Sequence, residues 1–250
     1  MTALVQDTVR GRDVSADDAR TSEERRVLRW GGLAGILGGV LFIVVFIFVG
    51  AIVGADPAVS EGPITRFPDV RVGRTVENTL YLAVLVLWVV HALALYRALR
   101  GTSLAPALFG SVLTILGLVV LAAGALPHVA VVQLSDLYHA PGATAVDQAT
   151  LILLWQAIQG VLNELLVVGL VLIPLGVIGQ GVAMLAFPSF GKWVGRLSVA
   201  LGLIGLGAAS VVVIDPESLL AAVGFFALIG FHLVLGWRVY RLSSAPSITA

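Results

Sequence analysis

Cysteine is absent from the 250 residues, which removes disulfides, thiolate metal sites, iron–sulfur clusters and cysteine nucleophiles together. Charge is scarce too: Asp, Glu, Lys and Arg make up 12% of the chain, where a soluble domain carries about a quarter. Twelve of the thirty charges fall in the first 29 residues, leaving eighteen for the remaining 221. A ball folded from that remainder would be unable to cover its surface with polar groups. There is also no excess of basic residues, with 15 Lys and Arg against 15 Asp and Glu, so nothing favours nucleic acid as a partner. No Gly-x4-Gly-Lys-Ser/Thr loop, His-Glu-x2-His or Gly-x-Ser-x-Gly occurs, which argues against an ATP-driven pump and the common membrane zinc proteases and serine hydrolases.

What the chain has in abundance is apolar sequence, at 58% of its residues. A helix needs about 20 apolar residues to cross a hydrocarbon core, and backbone groups in lipid must pair within their own segment. The runs therefore predict an all-α polytopic membrane protein of six transmembrane helices, with seven as the alternative. The spans are expected at about 31–53, 79–96, 104–126, 150–176, 194–214 and 219–239. They form one membrane domain over 29–242, whose expected partner is the lipid bilayer. Residues 1–28 are expected to be a polar tail, disordered or a short interfacial helix, and 243–250 a second tail. No cleavable signal peptide is expected, because the first 28 residues are charged and the first apolar run is too long for an h-region. Residues 54–78, with Pro57, Pro63 and Pro68, read as the one sizeable loop on the outer side.

The fourth span is the ambiguous one. Residues 150–187 are nearly all apolar, too long for one upright crossing and too short for two. Pro174 removes a helix hydrogen bond, so the expectation is a kinked or protruding helix followed by a short connection. Twelve basic residues fall at one set of span ends and three, Arg66, Arg71 and Arg74, at the other. Because Lys and Arg resist translocation, both termini are expected in the cytoplasm of a cell with this protein in its plasma membrane.

Small residues recur where lipid-immersed helices pack closely: Gly31, Gly35 and Gly39; Gly110, Gly117 and Gly124; Gly195, Ser198, Gly202 and Gly205. Packing within one chain is the plain reading of the first ridge, and a homodimer or another membrane-protein partner is the alternative.

Two sets of residues are candidates for chemistry. Gln156, Gln159, Asn163 and Glu164, with Gly160, fall within an arc of about 140° on a helix. An ionisable group inside a span is costly, so Glu164 is expected to face the bundle interior or a wet cavity. If its helix instead centres near Pro174, Glu164 lies close to the outer headgroups. His91 and His232 sit in matching His-x5-Arg-x2-Arg contexts, at one depth on two helices running the same way. Two such imidazoles are how a membrane cytochrome holds haem; paired polar packing is the plainer reading. His128, Asp136 and His139, with Glu77 and Glu164, could form an oxygen- and nitrogen-rich site for a divalent metal at the outer face, but His128-x7-Asp136-x2-His139 is no established ligand spacing and ordinary solvated loop residues are the plainer reading. No metal, cofactor or catalytic residue is assigned.

From Leu134-Ser-Asp-Leu-Tyr-His-Ala through Phe187-Pro-Ser-Phe-Gly-Lys-Trp-Val-Gly195 to the final aromatic–Arg helix ending at Leu242, the chain resembles small bacterial multi-pass membrane proteins of an uncharacterised family. That resemblance implies a six- or seven-helix bundle and no assigned activity. The function expected is that of a non-enzymatic integral membrane protein in an accessory or interaction role. The alternatives are a small transporter or proton-coupled carrier using Glu164, and a haem or metal redox protein using His91 and His232.

Overall fold

The computed structural model describes residues 2–53, 62–101, 104–215, 218 and 220–244, with the side chains of 2–21, 52–53, 62–63 and 128–129 outside the description. The expected segments 54–61 and 245–250 and the His128 side chain thus lie outside it. Among the described residues there is no strand. Seven α-helices follow one another: α1 (Thr2–Phe48), α2 (Gly62–Leu99), α3 (Leu104–Ala123), α4 (Pro127–Tyr138), α5 (Ala145–Leu185), α6 (Lys192–Ile214) and α7 (Leu220–Ser243). All but α4 contain a stretch long and apolar enough to cross a membrane, which makes six.

The six form a closed ring in the order α1, α2, α3, α5, α6, α7. Neighbours touch through small residues, as lipid-immersed packing requires. A Cβ built at Gly32 would stand 2.5 Å from the Tyr240 backbone nitrogen, and one at Gly39 would be 2.7 Å from Leu233. Gly35 faces His91 and Gly31 faces Ala94. The Gly31, Gly35 and Gly39 ridge is therefore filled by α2 and α7 of the same chain. On the other side, α5 lies between α3 and α6. Gly202 and Gly205 of α6 make room for Pro174: a Cβ built at either would stand 2.9 Å from it, from its carbonyl oxygen at Gly202 and from its ring at Gly205. The proline is thereby carried inside one continuous helix. Apolar side chains such as Leu37, Val44, Val86, Phe109, Leu116, Leu203 and Phe226 point outward around this ring, the surface a lipid solvent leaves exposed.

The register of these contacts sets depth. Gly117 meets Ile173 and Gly124 meets Leu165, so α3 ends level with residue 165 of α5. At 1.5 Å per residue, some twenty residues of α5 and nearly as many of α2 project past that level. This corrects two expectations. Much of the segment 54–78 is helical, since α2 begins at Gly62 and carries Pro68 inside it. The segment 127–149 likewise contains α4.

The projecting parts make a cap with a core of its own. Ile64, Phe67, Val131 and Trp155 are buried together, ringed by Leu134, Tyr138, Leu151 and Ile158. Phe67 and Trp155 meet edge to face at 5.7 Å. A capping box starts α5: Asp147 N–H donates to Thr144 Oγ1 at 3.2 Å and Thr144 N–H to Asp147 Oδ2 at 3.0 Å. Gln148 Nε2 donates to the Tyr138 carbonyl at 3.2 Å, tying α5 to α4. The opposite end of the ring carries Arg25, Arg26, Arg29, Arg97, Lys192, Arg238 and Arg241; there Arg97 pairs with Glu24 at 3.2 Å and Arg238 donates to the Ser189 carbonyl. The start of the α1 span and the end of α7 meet at this basic end.

Candidate functional site

Where ring and cap join, five helices line a half-open cavity of about 360 Å³. Its apolar part is Phe42, Val45 and Phe46 of α1, Leu121 of α3, Leu162 and Leu166 of α5, and Phe225 of α7. Aromatic edges hold that part in place, with Phe42 5.5 Å from Phe225 and 5.9 Å from Tyr81. Its polar part is Arg74, Glu77, Asn78 and Tyr81 of α2 facing Gln159 and Asn163 of α5. Arg74 Nη1 donates to Glu77 Oε2 at 2.9 Å, with side chains 13% and 21% exposed, a pair largely withdrawn from water. Asn78 Nδ2 donates to the Ala125 carbonyl at 3.4 Å. A second depression of about 290 Å³ shares Arg74 and Asn78 and continues between α2 and α4 under the cap. Beside the cavity, α1 changes to a π-helix over Val49–Val53, and Val49 lines the wall.

The polar stripe of α5 is split by this arrangement. Gln159 and Asn163 reach the cavity, and Gln156 is half-buried. Glu164 does not reach it; it is exposed, against the expectation that it faces the interior. The physical reason is that the inward direction at this level is set by Leu162 and Leu166, and Glu164 points roughly 150° away from the mean direction of the four cavity-lining residues. It also stands at the level where α3 ends, beside the cap rather than at mid-depth. Replacing Glu164 by Gln is thus expected to change stability by no more than about 0.5 kcal/mol, measured as the melting temperature of the detergent-solubilised protein.

Asn78 and Tyr81 are not singled out by the sequence, where Arg74 enters only as one of three outer basic residues and Glu77 only beside the loop histidines. Their spacing of i, i+3, i+4 and i+7 places them within an arc of about 100° on a helix. That signal is visible only if α2 is extended back past Thr79 toward Pro68.

His91 and His232 do meet. Their rings are 5.2 Å apart at 63°, and His232 stacks on Trp88 at 4.1 Å with planes inclined by 7°. Both histidines and Trp88 are fully buried. His91 Nδ1 lies 2.9 Å from the Gly31 carbonyl oxygen, which only accepts, so Nδ1 carries the proton and Nε2 is a bare acceptor. Among the described residues His91 Nε2, both nitrogens of His232 and Trp88 Nε1 find no partner. Haem does not fit this packing. A bis-histidine haem stands between its two imidazoles, whereas these rings touch each other and Trp88 covers a face of His232. The pair sits at the junction of α1, α2 and α7.

The described loop residues have partners of their own. Asp136 pairs with Arg71 at 2.8 Å, Glu77 with Arg74, and His139 Nδ1 donates to the Ser135 carbonyl at 2.8 Å. Among the described residues no three His, Asp or Glu side chains are grouped to hold an ion. A fully buried amide, Gln180, also escaped the sequence reading; its Nε2 donates to Ser111 Oγ at 3.4 Å, joining α5 to α3 at a level nearer the basic end.

No protein-family model, curated protein or solved structure matches the chain. The chain is an integral membrane protein by its six apolar helices.

Proposed function

We propose that this is a non-enzymatic multi-pass protein of a bacterial plasma membrane, with both termini in the cytoplasm, that binds an amphiphile in the capped cavity. One observation carries the reading: a single cavity has phenylalanine and aliphatic side chains at one part and an ion pair with three amides at the other. At about 360 Å³ it is at the small end of the usual ligand sites, roughly 300–1,000 Å³. Arg74 and Glu77 cancel in charge, so the lining favours an uncharged or zwitterionic head bearing hydroxyl or amide groups over a lone ion. The apolar part accepts a short chain or ring. The uneven distribution of Lys and Arg supports placing cavity and cap on the outer side.

A carrier reaching through Glu164 is not favoured, because that carboxylate faces away from the cavity. Between the cavity and the basic end, moreover, Trp88, His91, Leu95 and His232 are fully buried.

Native mass spectrometry of protein extracted in mild detergent tests the proposal. The wild-type chain is expected to retain one small amphiphile with a neutral or zwitterionic head. Leu162→Trp, which fills the apolar part, should lower its occupancy about tenfold, equivalent to about 1.4 kcal/mol, with the melting temperature nearly unchanged. Equal occupancy in the two proteins would place the amphiphile elsewhere and refute the assignment.

A further inference from the structure

At the opposite end of the ring, a second cavity of about 600 Å³ is lined by Ser22, Arg25, Arg26, Arg29 and Trp30 of α1, by Tyr240 and Ser243 of α7, and by Ser244 just after it. Among the described residues no carboxylate lines it. On α1 the positions of Ser22, Arg25, Arg26 and Arg29 span an arc of about 100°, so three guanidiniums and a hydroxyl share one face. At the end of α7 the three hydroxyl-bearing residues recur at i, i+3 and i+4. These faces are locked together just inside the cavity, where a Cβ at Gly32 would stand 2.5 Å from the Tyr240 nitrogen and 2.8 Å from the Gly236 oxygen. The nearby Glu24 is engaged by Arg97 at 3.2 Å. Among the described residues none of Arg25, Arg26 and Arg29 pairs with a carboxylate.

Ser243 Oγ already donates to the Tyr240 carbonyl at 2.6 Å, so the recess rests on its three arginines, with no acid among its described lining; such a recess suits an oxyanion, which guanidinium forks bind through paired hydrogen bonds. The surface leading away from it says which oxyanion. Trp30, Leu33, Leu37, Val40, Val44 and Ile47 recur at alternating steps of three and four and are 36–65% exposed. They make an apolar stripe running the length of the α1 span, with Trp30 belonging to both stripe and recess. A soluble phosphate has no use for such a stripe, whereas an acyl chain does. We infer that the cleft between the basic ends of α1 and α7 is a binding site for the phosphate headgroup of an anionic phospholipid, whose acyl chain lies along the Trp30–Ile47 stripe. The site is separate from the amphiphile cavity and does not depend on it.

The test uses the full chain in phosphatidylcholine nanodiscs containing a minority of phosphatidylglycerol, with one or the other lipid brominated on its acyl chains. The Trp30 signal is the difference between wild type and Trp30→Phe. Brominated phosphatidylglycerol is expected to quench Trp30 well beyond brominated phosphatidylcholine at equal mole fraction. Each arginine removed near a membrane surface weakens anionic-lipid partition about fivefold, so Arg25→Gln with Arg29→Gln should bring the preference down to about the phosphatidylcholine level. Should the double variant fail to insert, Arg29→Gln alone, which keeps every other basic residue, should show the fivefold step. Equal quenching by the two lipids in wild type, or a preference unchanged in both variants, would overturn the proposal. Loss of the preference on adding inorganic phosphate, at an ionic strength matched with chloride, would overturn the lipid assignment in favour of a free phosphate.

Discussion

Gly176→Val is expected to yield no stable bundle. A Cβ at position 176 would stand 2.5 Å from the Thr114 backbone nitrogen and 2.6 Å from the Gly110 carbonyl oxygen. Both are backbone atoms of α3 that move only if α3 and α5 part. The Gly110 carbonyl also accepts the Thr114 hydroxyl at 2.9 Å, so separation breaks the local fit on both helices. Overpacking a core costs about 1–3 kcal/mol where side chains can yield; against backbone the cost is expected to reach about 3 kcal/mol or more. The readout is the monodisperse peak and melting temperature of the protein in detergent. Gly160→Ala is the internal control on the same helix. Nothing lies within 4 Å of its added carbon, and alanine there should stabilise by about 0.5–1 kcal/mol. Similar behaviour of the two variants would contradict the α3–α5 packing.

Trp88→Ala is the other severe change. Trp88 is fully buried, meets Phe42 edge to face at 5.1 Å and stacks on His232 at 4.1 Å. Gly38 is small because Trp88 needs the space; a Cβ there would stand 2.7 Å from the indole Cδ1. Removing the indole leaves a cavity among α1, α2 and α7, with an expected cost of about 3–5 kcal/mol. The effect also reaches the ligand. Phe42 lines the amphiphile cavity and leans on Trp88, so amphiphile occupancy should fall even in preparations that remain folded. Trp88→Phe should recover much of the stability, because it refills part of the space. Thermal melts of the three proteins, with occupancy by mass spectrometry, separate the two effects. A Trp88→Ala protein that melts like wild type would show that these helices do not meet as described.

The six spans were legible because each rests on a count of apolar residues that lipid imposes on any sequence. The glycine ridges were legible for a related reason: without a hydrophobic force between helices, close packing leaves its mark as small residues at regular steps. His91 and His232 could be placed at one depth from matching distances to Arg97 and Arg238. Their orientation was beyond sequence, and it is the orientation that removes haem. The cap was missed because Pro57, Pro63 and Pro68 look like loop punctuation, although a proline early in a long helix can be carried when Ile64 and Phe67 are anchored against Trp155. Without the cap, Arg74, Glu77 and Asn78 do not fall on one helix face, and half of the cavity's polar lining goes unseen. Glu164 was misdirected because polarity was taken to point inward. At the end of a bundle the buried direction is chosen by the leucines, and a carboxylate can face out into the headgroup layer.

Lipid immersion with the arginine-rich end retained on the cytoplasmic side underlies the assignment of cavity, cap and headgroup cleft to their leaflets. The natural lack of cysteine makes labelling clean. Val146→Cys lies on the cap, where Val146 is 76% exposed, and Ser189→Cys lies in the exposed α5–α6 connection at the basic end. With a membrane-impermeant maleimide on right-side-out vesicles, Val146→Cys should label at once and Ser189→Cys only after permeabilisation. Labelling in the reverse order, or of both positions in sealed vesicles, would contradict the account.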